Sequence, residues 1–91
     1  MSGGHFDYQQ YRLHDIAQSI EEIIAHNNVE NEYGYSYGFS EETLEEFRKA
    51  VDYLKIAEVY VQRVDWLVSG DDGEDDFHKR LKKELQKIVA R

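Results

Sequence analysis

Residues 40–69 read SEETLEEFRKAVDYLKIAEVYVQRVDWLVS, a run with no glycine and no proline. Ser40 can cap the free N–H groups of a helix start, and Glu41 and Glu42 suit its positive end. Gly70 can take the left-handed conformation that ends a helix. These signals predict one helix over residues 40–69. Leu44, Phe47, Ala50, Val51, Leu54, Ala57, Val61, Val64 and Val68 recur at helical spacing and form a wide stripe. Tyr53, Ile56, Val59, Tyr60, Trp66 and Leu67 lie around the other side. Phe39 and Leu44 have the offsets of a hydrophobic staple.

Two shorter helices flank this one. The first is expected near residues 7–27. Asp7 and Gln10 have capping-box spacing, and Phe6 and Tyr11 have staple spacing. Leu13, Ile16, Ile20, Ile23 and Ile24 repeat at helical intervals, and His26-Asn27-Asn28 marks the end. The third is expected near residues 75–90, carrying Phe77, Leu81, Leu85, Ile88 and Val89. The acidic run Asp71–Asp76 before it lacks calcium-loop spacing and reads as a solvated turn. The chain is thus expected to be one all-α domain over residues 1–91, a three-helix protomer with a long central helix. Both sides of that helix are apolar, and short neighbours can cover only part of it. The expectation is self-association into a helical bundle, in its simplest form a dimer.

Ninety-one residues lie near the lower size limit for a single core. The chain contains no cysteine, which excludes disulfide and thiolate chemistry. No apolar run approaches a membrane span, and the start lacks the pattern of a signal peptide. A cytoplasmic protein is therefore expected. The net charge is −8 and unevenly placed. Residues 1–78 hold 18 acids against 5 bases, while residues 79–91 hold six bases against Glu84 alone. An acidic body argues against direct nucleic-acid binding.

Candidate sites come from polar residues in unusual places. Glu58, Gln62 and Asp65 share a face of the long helix, and Asp65 falls near the centre of its apolar stripe. A carboxylate there needs a partner. Arg12 on the first helix is the expected one, giving a buried polar cluster of Arg12, Glu58, Gln62 and Asp65. Gly3, Gly4 and His5 precede a helix start, where exposed N–H groups favour an anion. Tyr8 and Arg12 would line the same approach. The linker over residues 29–39 carries Tyr33-Gly-Tyr-Ser-Tyr-Gly-Phe39, readable as a short hairpin or an ordered loop. Its aromatics either patch the core or offer a stacking platform. Combined, these suggest an anion site of Gly3, Gly4, His5, Tyr8, Arg12, Tyr35, Tyr37 and Arg63. No histidine spacing suggests a metal ligand set, no catalytic constellation is legible, and no cofactor is expected.

The stretches Ser2–Tyr8, Gly38–Thr43 and Gln62–Asp72 resemble a family of small proteins of bacteria and their phages that has no assigned activity. A phage connection implies, by analogy, a counter-defence role. Glu42-x-x-Glu45 resembles half of the metal-binding motif of all-α nucleoside-triphosphate pyrophosphohydrolases. The second half would need an acid where Val61 stands. The functional expectation is a non-enzymatic binding protein for a small anionic molecule, a nucleotide being the leading example. The alternative is an acidic interaction module that mimics nucleic acid toward a basic protein partner. Metal-dependent nucleotide hydrolysis comes third.

Overall fold

The computed structural model describes Phe6 and residues 8–89. It contains three helices, α1 (Gln10–Ala25), α2 (Glu41–Val68) and α3 (Glu74–Val89), and no strand among the described residues. The ends of α2 follow local chemistry. Thr43 N–H donates to the Ser40 hydroxyl at 3.2 Å. At the other end Ser69 is the C-cap and Gly70 has φ +84°. Gly70 N–H reaches Leu67 O at 3.2 Å and Asp71 N–H reaches Trp66 O at 2.9 Å. This is the Schellman arrangement, which satisfies carbonyls the helix leaves open. On the exposed first turns Arg48 pairs with Glu41 and Glu45, and both carboxylates raise its pKa.

The start of α1 differs from the expected capping box. Asp7 lies outside the described residues. Gln9 occupies the cap position with helical dihedrals and no side-chain cap bond. Gln10, the expected box partner, turns its side chain into α2 and is 2 % exposed. Tyr11 stacks on Tyr8, with ring centroids 6.2 Å apart.

Asn27 terminates α1 and anchors the linker. Its side-chain amide donates to Phe39 O at 3.0 Å and its side-chain oxygen accepts from Phe39 N–H at 2.9 Å. Gly38 N–H adds a bond to Asn27 O at 2.9 Å. The linker is an ordered loop, not a hairpin. The Asn31 side-chain oxygen accepts from Tyr33 and Tyr35 N–H, and Gly34 takes φ +84° at the turn. Phe39 packs edge-on against Phe47 at 5.3 Å and flat against Tyr37 at 5.5 Å.

Helices α1 and α3 both run antiparallel to α2, on opposite flanks, and do not pack on each other. Glu21–Lys55 at 3.7 Å marks the α1 contact and Arg63–Glu84 at 3.6 Å the α3 contact. The molecule measures 53 × 27 × 13 Å. Because α1 and α3 each pack on α2 and not on each other, the chain is one layer of helices lying side by side. Only three apolar side chains are buried among the described residues, Ala17, Leu44 and Val51. The two faces of α2 also differ from the expected division. Val68, placed in the inward stripe, is 53 % exposed, while Trp66, placed outside, lies on Arg63. No described helix is long and apolar enough to cross a membrane.

Candidate functional site

Five polar side chains are buried among the described residues, more than the apolar ones: Gln10, Asn27, Arg63, Asp65 and Asp72. Asn27 holds the linker. The other four gather around the last two turns of α2, in two clusters on its two flanks.

The first cluster joins α1 to α2. Asp65 is fully buried. It accepts from the Gln10 side-chain amide at 3.2 Å and lies 3.5 Å from the Ser69 hydroxyl. The same Gln10 nitrogen donates to the Gln62 side-chain oxygen at 2.7 Å. The Gln10 side-chain oxygen is also buried and has no hydrogen-bond partner. A buried acceptor left without a donor is costly and rare in folded proteins. At this corner, two residues before α1, stands Tyr8, whose φ is +60°. That conformation is uncommon for a bulky residue, and strained backbone clusters where ligands bind.

Arg12 stands on the same first turn but is exposed, so the expected Arg12–Asp65 pair does not form. Rotation explains this: two residues along an α-helix turn by about 200°, so with Gln10 aimed at α2 Arg12 points away from it. Glu58 is not in the cluster either. It lies 3.6 Å from His14 Nδ1, one turn further along. Of the expected buried set, Gln62 and Asp65 come together and Arg12 and Glu58 stand apart.

The second cluster joins α2 to α3 and was hidden in the sequence. Arg63 is 4 % exposed, 3.3 Å from Asp72 and 3.6 Å from Glu84, with its guanidinium 4.5 Å from the Trp66 ring centre. Asp72 also receives Arg80 at 3.0 Å. Asp72 thus belongs to a buried ion network and not to a solvated turn. Arg63 is neutralised on two sides and closed off by an aromatic ring, so it is not open to an external anion.

The expected anion site therefore does not assemble within one chain. Gly3, Gly4 and His5 lie outside the described residues. Tyr8 and Arg12 stand at the start of α1. Tyr35 and Tyr37 stand on the loop beyond its end, and a helix of this length spans about 24 Å. Those tyrosines are 73 % and 58 % exposed and do not patch the core. Glu42 is exposed and Glu45 pairs with Arg48. No group of three or more described His, Asp or Glu side chains could hold a metal ion. What the structure does bring together is the trio Gln10, Gln62 and Asp65, at the same end of α1 as the stacked Tyr8 and Tyr11 and the exposed Arg12. Arg12 is the one described arginine without an acidic partner, since Arg48, Arg63 and Arg80 are all ion-paired.

No protein-family model, no curated protein and no solved structure matches this chain.

Proposed function

We propose that the chain is a non-enzymatic binding protein for a small anionic molecule with a flat ring, and that the α1–α2 corner receives it. A nucleotide is the simplest molecule of that chemistry. The reading rests on one observation, the buried Gln10 oxygen without a donor, beside a fully buried Asp65. The unpartnered Gln10 oxygen asks for an N–H group, such as one on the edge of a base. The flat faces of Tyr8 and Tyr11 suit ring stacking, and Arg12 is open to pair with a phosphate.

A thermal-shift screen tests this. Nucleotides and cyclic nucleotides should raise the melting temperature, and sulfate alone should not. Arg12→Ala should abolish the shift while leaving the unliganded melt unchanged. If no nucleotide moves the melt, the reading fails. Salt gives a second handle. The chain carries −8, so an anion is repelled at long range and moderate salt should speed its association.

One observation favours a second reading, the acidic interaction module. Tyr33 and Tyr35 are 75 % and 73 % exposed on a loop pinned by Asn27 and flanked by Glu30 and Glu32. Rigidly presented tyrosines are common anchors in interfaces, and the flanking acids suit a basic surface. Salt separates the readings: a basic partner should bind less tightly as salt rises.

A further inference from the structure

The two sides of the layer differ in charge. One holds a groove rimmed by His14, Lys55, Glu58, Glu84 and Lys87, and the other carries exposed apolar side chains, with Arg12 at its edge. His14 of α1, Gln62 of α2 and Lys87 of α3 line the same groove of about 400 Å³. Two residues along an α-helix is a rotation of about 200°. Ile16, Val64 and Leu85 each lie two residues from one of those three, so all three project from the opposite side of the layer. Ile16 is 50 % exposed, and Val64 and Leu85 are half-buried. Along α2 that side continues through Ala57, Tyr60, Val61 and Val68, with no charged residue among them. Tyr60 is 44 % and Val68 53 % exposed.

We infer that this apolar side is the interface for a second copy of the same chain, forming a two-layer bundle of six helices. Three measures support a missing layer. The accessible surface is 6743 Å², whereas a compact monomer of 10.8 kDa shows about 5,500 Å². The excess of roughly 1,200 Å² is more than the ~800 Å² each partner buries in a stable dimer. The radius of gyration is 16.8 Å, against about 12 Å for a compact domain of this length. Within the chain α1 and α3 pack only on α2, so no second layer covers it. The occupant is a copy because the need arises during folding. Three buried apolar side chains make a very small core, and the partner that completes it must be present whenever the chain is made. A flat apolar face on one side only is self-complementary about a two-fold axis and closes at two chains.

Sedimentation and thiol labelling test this together. The wild-type chain should sediment at twice its 10.8 kDa mass at tens of micromolar, and its melting temperature should rise with concentration. The chain has no cysteine, so a single introduced thiol reports its own site. A Val64→Cys thiol should resist maleimide until the protein is diluted. A Gln18→Cys thiol, two residues from Ile16 on the polar side, should label at once. Single-chain mass with a concentration-independent melt would overturn the inference. So would a dimer in which the two thiols label equally fast. Neither readout depends on a ligand, so failure here leaves the binding reading untouched, and the reverse also holds.

Discussion

The Gln10 side-chain amide donates to Asp65, 55 residues later in the chain, at 3.2 Å with both groups buried. Gln10→Leu should therefore remove this buried bond, together with the one to Gln62, and cost about 1–3 kcal/mol. Arg12→Met should change stability by no more than about 0.5 kcal/mol, as expected for an exposed side chain. It should not rescue Asp65→Ala, since Arg12 is not the partner. Urea melts of the three variants check these values.

Asp72 sits between Arg63 and Arg80, with its side chain only 1 % exposed. Asp72→Ala strands the buried Arg63, which keeps Glu84 alone, and should cost about 3–5 kcal/mol. Arg80 is 49 % exposed, so removing it should cost only about 0–1 kcal/mol. A melt series in which Arg80→Ala matched Asp72→Ala would contradict this ranking.

Gly70 ends α2 at φ +84°, with open space around it. A side chain there meets no clash but must adopt a left-handed backbone. Gly70→Ala should cost about 1–2 kcal/mol by thermal melt.

Asn27 makes two side-chain bonds to Phe39 across twelve residues. Asn27→Ala should cost about 1–3 kcal/mol and free the tyrosine loop. Hydrogen exchange at Gly38 and Phe39 should accelerate while exchange within α2 stays slow.

Helix placement was legible because its signals are local. Ser40, Gly70 and the spacing of Leu44, Val51 and Val64 each act within a turn or two. The polar clusters were not legible because their members come from distant segments. Gln10 has the spacing of a capping residue, and only the packing of α1 on α2 shows it pointing at Asp65. Arg63 lies to one side of the main stripe of α2. Its burial depends on Asp72, which stands in a run that reads as solvent-facing. The double-sided apolar helix led to the expectation of self-association, but which side of α2 stays open depends on which flanks α1 and α3 occupy. Val59 faces the polar groove and Val68 the apolar side, the reverse of the division that spacing alone suggests.

In the proposed site a ring-bearing anion binds at the α1–α2 corner against Gln10. The direct measurement is the side-chain amide signals of Gln10 and Gln62 in a nitrogen–proton spectrum during nucleotide titration. Binding at the corner should move both signals and saturate them together, with Tyr8 and Arg12 backbone signals following. Signals at Gln10 and Gln62 that stay fixed across nucleotides and cyclic nucleotides would contradict it.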